Sequence, residues 1–165
     1  MGHLGIALGA CGLQRTLPLW CAVTAAIAPD LIKISLSLGG VGQSAYIWSH
    51  SPGGISLTAL AGAGLWWWRR RRRGEAFAIA VLVLSHLAAD CVTNLQPYDA
   101  GGISFGLRLY GRAWIDFALE STIVVAGWAA YASSLPRHER WRLPVLVMPI
   151  VLVLFQLVFT RVMLL

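Results

Sequence analysis

The 165-residue chain is 58% hydrophobic and 12% charged, with a mean hydropathy of +0.69. Soluble domains carry about 25% charged residues, and one this small has too little interior to hide so much apolar surface; the same composition excludes disordered, collagen-like, coiled-coil and disulfide-scaffold classes. The net charge of +6 owes five arginines to one run, Arg69 to Arg73, directly after Trp66-Trp67-Trp68, and aromatics at headgroup level followed by a basic cluster mark the end of a membrane helix, not a nucleic-acid surface.

A membrane span needs about 20 apolar residues. Leu4 to Ile34 is apolar but interrupted by Gln14-Arg15-Thr16 and Pro18. That pattern predicts two short antiparallel helices, Gly2 to Leu13 and Leu17 to about Leu36, turning at Arg15. Ser37 to Ser49 reads as a loop. Gly53 to Trp68 is free of charge and rich in small residues, which let helices approach closely in lipid. Ala76 to Leu95, Trp114 to Leu135 and Leu143 to Leu165 are longer spans, with a second extended loop over Gln96 to Ala113. The expected fold is all-α: one integral membrane domain over residues 1–165, built as a bundle of about six helices, the first two short. Residues 1–135 form its core and 143–165 an added C-terminal span. Cys11, Cys21 and Cys91 stand singly in apolar stretches and read as small core hydrophobes.

Arg15, the arginine run, Arg137, Arg140 and Arg142 fall on one side of this layout, nine of the thirteen basic residues. The positive-inside rule makes that side cytoplasmic, as in a bacterial inner membrane protein. The same layout gathers Asp30, Asp90, Asp99, Asp116 and Glu120, with His3, His50 and His86, towards the outer side. Nothing in the charge rule requires that second sorting.

His86 and Asp90 are four residues apart, as are Asp116 and Glu120. Each pair shares one face of a helix. Ionisable groups are costly in hydrocarbon and face the bundle interior or a wet cavity. A His-x-x-x-Asp pair offers an imidazole nitrogen and a carboxylate oxygen to one cation. With His3, Asp30 and His50 towards the same level, a divalent transition metal site is expected, with zinc favoured by the mixed ligands. A structural polar network and an ion or proton pathway are the alternatives. Arg108 and Arg112, on the outer loop, are candidates to clamp a substrate phosphate.

Gly2-His3-Leu4, Ala28-Pro29-Asp30-Leu31, Trp48-Ser49-His50-Ser51 and Leu84-Ser85-His86-Leu87-Ala88-Ala89-Asp90 occur in that order. Together they resemble bacterial membrane-bound metal-dependent hydrolases over about residues 2–133. Those proteins are in turn similar to the zinc-dependent phospholipase C and P1 nuclease superfamily. The resemblance implies that His3, Asp30, His50, His86 and Asp90 are metal ligands, and that Asp116-x-x-x-Glu120 corresponds to that superfamily's His-x-x-x-Glu pair. Asp90 and Glu120 would then carry the catalysis. Asn94 and Ile32 depart from the family, standing where other members carry His and Asp. The implied activity is Zn2+-dependent hydrolysis of a phosphodiester, such as a phospholipid headgroup, at the outer membrane face, with membrane lipid as partner. An ion or small-solute transporter and a non-catalytic membrane scaffold are the other function classes.

Overall fold

The computed structural model describes residues 2–42, 44–93, 96–97, 104–107 and 109–163. Nine α-helices occur among them: α1 (Gly2–Leu13), α2 (Leu19–Ala26), α3 (Ala28–Leu38), α4 (Ser44–His50), α5 (Pro52–Arg70), α6 (Arg73–Thr93), α7 (Ala113–Ser134), α8 (Arg137–Arg140) and α9 (Leu143–Met163). The only other regular elements described are a two-residue antiparallel pairing, Gln96 with Phe105 and Pro97 with Ser104, and a 3-10 turn over Leu109–Arg112. Apart from that short pairing the regular structure of the described residues is helical, as the pattern of apolar spans predicts.

Among the described residues three helices, α6, α7 and α9, are long and apolar enough to cross a membrane, and α2 with α3 makes a fourth if that bent pair counts as one span. Three to four spans therefore meet the length and hydropathy requirement, short of the six expected. α1 has twelve residues, about 18 Å of helix, against a hydrocarbon core of about 30 Å. α5 is nineteen residues long, but its glycines, tryptophans and terminal arginines dilute its hydropathy. The second predicted helix is broken: α2 and α3 meet at 62°. Pro29 has no N–H to donate to the Ala25 carbonyl, so α3 starts on a new axis. Part of the loop expected over Ser37 to Ser49 is helical, as α4.

α1 packs most extensively against α7, and the two run parallel: Gly2 faces Glu120, and Gly12 faces Ala130. A Cβ at Gly5 would lie 2.6 Å from the Ile123 carbonyl oxygen, and one at Gly12 would lie 2.6 Å from that of Ala130. The helices thus touch backbone to backbone, the packing that small residues permit in lipid. Ala7, Cys11, Ala22, Ile55, Leu82 and Val83 form the centre of the core. α9 runs antiparallel along α7: the Trp128 indole donates to the Val145 carbonyl at 2.6 Å, and the Arg161 guanidinium lies 5.0 Å from the Trp114 ring centre.

One end of the bundle is tied by Glu75. Its buried carboxylate accepts from the Trp66 indole and from Arg72, both at 2.8 Å, joining α5 to α6. Gln14, in the turn after α1, lies against Gly74 at the same end. Because α7 runs parallel to α1, Arg137, Arg140 and Arg142 also follow at this end. The nine basic residues sorted together by sequence are therefore gathered at one end of the fold.

Candidate metal centre

The opposite end of α6 carries the histidines and aspartates. Asp90 lies fifteen residues beyond Glu75, about 22 Å along the helix, so the cluster sits at the other end of the bundle. His86 and Asp90 project from one face of α6, with their Nε2 and Oδ2 atoms 3.3 Å apart. α1 brings in His3, whose Nε2 is 3.0 Å from Asp90 Oδ1 and whose ring stacks on His86 at 4.0 Å. α3, redirected by the bend, supplies Asp30. α4 supplies His50, whose Nε2 is 3.3 Å from Asp30 Oδ1 and 3.8 Å from Asp90 Oδ2. Asp30 Oδ2 in turn lies 3.8 Å from His86 Nε2. Five residues from four helices thus converge.

The hydrogen bonds behind these rings decide which nitrogen faces inward. His86 Nδ1 is 2.8 Å from the Ala26 carbonyl oxygen, which can only accept, so Nδ1 carries a proton. Ser49 donates its hydroxyl proton to the Ala45 carbonyl at 2.8 Å. With its proton so placed, the hydroxyl accepts at 2.7 Å from His50 Nδ1, which then carries a proton as well. When neutral in this tautomer, each ring turns its Nε2 lone pair towards the carboxylates, with His50 Nε2 in a 3.3 Å contact with Asp30 Oδ1. Lone pairs facing carboxylates repel unless a proton or a cation lies between them. His86 Nε2 is buried and makes no hydrogen bond, and its two carboxylate distances exceed the usual N–H···O range. Anchoring the outer ring nitrogen to a carbonyl or hydroxyl is the arrangement that orients metal-ligating histidines.

Two groups of three could hold a metal ion: His3, His86 and Asp90, and Asp30, His50 and His86, each with its ligand atoms within 4.8 Å of one another. Zinc bound to N and O ligands at about 2.0–2.1 Å places tetrahedral ligand atoms about 3.3 Å apart. The separations of 3.0, 3.3 and 3.8 Å bracket that edge. The two groups share His86, whose single lone pair serves one ion. With neutral imidazoles, Asp30 and Asp90 carry two negative charges, which one divalent cation balances. His50 and His86 are 2% and 1% exposed, Asp90 15% and Asp30 43%, so the cluster opens on the Asp30 side.

Asp116 and Glu120 are buried on α7 and join neither group of three among the described residues. Glu120 rests against Gly2, beside His3 in sequence. Asp116 Oδ1 is buried without a hydrogen bond. Arg112 is exposed at the end of the 3-10 turn. Arg108 lies outside the described residues. Sequence reasoning passed over Ser49, Tyr46 and Lys33: the Tyr46 ring stacks on His50 at 4.6 Å, and Lys33 Nζ is 5.1 Å from that ring's centre. The available signal was spacing, since Tyr46 precedes His50 by one helical turn and Lys33 follows Asp30 by three residues. Compared with protein families, with curated proteins and with solved structures, the chain matches none.

Proposed function

We propose that the chain is a membrane-embedded, metal-dependent hydrolase acting on a phosphodiester, with a phospholipid headgroup as the substrate class. The observation that carries the reading is the pair of inward Nε2 atoms of His50 and His86, each backed by a hydrogen bond and each facing Asp30 and Asp90. The ordered resemblance of four short motifs to membrane-bound metal-dependent hydrolases supports it. In this reading the helices form a six-helix bundle with the first two short, in a bacterial inner membrane. The arginine end is cytoplasmic and the site faces outward.

His50, His86 and Asp90 would hold the cation, with Asp30 and His3 completing the set. A zinc ion held by these residues would lower the pKa of a bound water and polarise a phosphoryl oxygen. Ser49 and the Ala26 carbonyl keep both imidazoles in the ligating tautomer. Asp90 touches all three histidines and is the residue on which turnover depends. Glu120, against α1, is the second carboxylate assigned to catalysis, with Asp116 as an outer ligand. Arg112 and Arg108 are assigned to the substrate phosphate.

A pocket is favoured over an ion pathway by what lies beneath the cluster. Between Glu75 and His86, the buried face of α6 is Ala76, Ile79, Leu82 and Val83, with no ionisable group to relay a proton or cation. The test is hydrolysis of a panel of phospholipids and chromogenic phosphodiesters by the zinc-loaded protein and by Asp90→Asn. Turnover by the unaltered protein alone is expected. Zinc-loaded protein that cleaves nothing in the panel would remove the hydrolase reading.

A further inference from the structure

A second feature lies on the other side of the core from α1. Between α2, α5 and α6 runs an apolar groove of about 660 Å3, walled by residues such as Trp20, Ala28, Gly62 and Ile79, with Arg69 and Arg70 at one end. Its volume falls within the roughly 300–1,000 Å3 of ligand-binding clefts. Its length is set by α5: Thr58 and Arg69, both lining it, are eleven residues apart, about 16 Å. That is about half the 30 Å hydrocarbon core of a bilayer, the depth of one leaflet.

The charge at the groove's end is unbalanced. Arg72 takes the only buried carboxylate described there, Glu75. Arg69 and Arg70 are exposed and make no ion pair among the described residues. Arg70 is held 5.5 Å over the Trp66 ring, which fixes its guanidinium at the end of α5, and Arg69 lies beside it on the groove wall. An apolar trough one leaflet deep, capped by two unpaired guanidinium groups, complements a lipid with an acyl chain and a negative headgroup.

We propose that this groove binds one anionic phospholipid of the leaflet on the arginine side, its acyl chain along α2, α5 and α6 and its phosphate against Arg69 and Arg70. The groove reaches Ala25 and Ala28, which flank Ala26, the residue whose carbonyl holds His86 Nδ1. An occupied groove therefore braces the segment that orients a histidine of the metal cluster. The lipid here is distinct from any substrate, because the arginines that take its phosphate lie at the end of the bundle opposite that cluster.

The experiment is native mass spectrometry of the full chain in detergent supplemented with equimolar phosphatidylglycerol and phosphatidylcholine of matched chain length. One retained phosphatidylglycerol per chain is expected. Each arginine near an anionic surface favours binding about fivefold, giving the pair a preference of about 25-fold over phosphatidylcholine. Arg69→Gln combined with Arg70→Gln should bring the preference near parity with helical content unchanged. Gly62→Leu should fill the groove and reduce retention of both lipids. Unaltered protein that retains the two lipids equally overturns the proposal whatever the variants do. So does a phosphatidylglycerol preference that survives in folded protein of both variants.

Discussion

Replacing Gly5 with alanine adds a single methyl group where α1 and α7 touch. That Cβ would sit 2.6 Å from the Ile123 carbonyl oxygen and 2.7 Å from the Val124 Cα, whereas ordinary contact begins at 3.4 Å. The two helices must therefore part locally by about 0.8 Å. Neither neighbour is a flexible side-chain end, so backbone has to move. Overpacking of this kind costs about 1–3 kcal/mol, which corresponds to a fall in Tm of roughly 2–12 °C for a chain of this length. The effect extends to the site, because His3 lies two residues away on the same helix and meets Asp90 at 3.0 Å. A displacement of that size takes the contact out of hydrogen-bond range. Gly9→Ala is the matched control: its Cβ would meet the Gly127 Cα at 3.7 Å, an ordinary contact, and should leave Tm within about 1 °C. The assay is thermal unfolding followed by circular dichroism in detergent, with zinc affinity measured on the same samples. Equal Tm for Gly5→Ala and the unaltered protein would refute the close packing of α1 on α7.

Three further outcomes are expected. Ser49→Ala removes the acceptor that fixes the His50 tautomer and should weaken zinc binding about 10–100-fold by titration, with Tm of the metal-free protein nearly unchanged; an unchanged affinity would detach Ser49 from the site. Zinc affinity should fall as pH is lowered into the range where the imidazoles take up a second proton, because only the neutral ring has a lone pair to ligate with; titrations across that range should show the loss, and a zinc affinity unchanged where the histidines are protonated would contradict histidine ligation. Gln156 on α9 is fully buried with both amide atoms unpaired, so Gln156→Leu should raise stability by about 1–3 kcal/mol; a lower Tm would mean that the amide has a polar partner in the membrane.

Most of the helices were legible because hydropathy in lipid is a strong signal. α1 has the bounds that the interruption at Gln14 predicts, and α6, α7 and α9 begin and end within three residues of the apolar stretches. The bend at Ile27 was not read, although Pro29 stood in a quoted motif, because an apolar run looks continuous through a proline that sits in the first turn of a new helix. α4 was missed because seven residues with two serines and a histidine carry no helical hydropathy pattern; it is held by packing on α3 and α5. In the site, the one-turn spacing of His86 and Asp90 was visible on α6. The arrival of His3 and His50 depended on how closely α1 meets α7 and on the direction α3 takes after the bend. The Ala26 carbonyl that anchors His86 has no sequence signature at all. Asp116 and Glu120 show the reverse case: their spacing was read correctly, but their face of α7 meets Gly2 on α1, and they join neither ligand group.

His50, His86, Asp90 and Asp30 are expected to hold one divalent cation between them. This is tested most directly by saturating the detergent-purified chain with Zn2+, removing free ions by gel filtration and measuring zinc per chain by elemental analysis, beside His50→Ala combined with His86→Ala. About one zinc per chain is expected for the unaltered protein, from the charge balance of two carboxylates with three neutral imidazoles, and about none for the double variant. Zinc near zero in the unaltered protein, or equal in both, would contradict metal binding at this site and leave the cluster a network of protonated histidines and carboxylates.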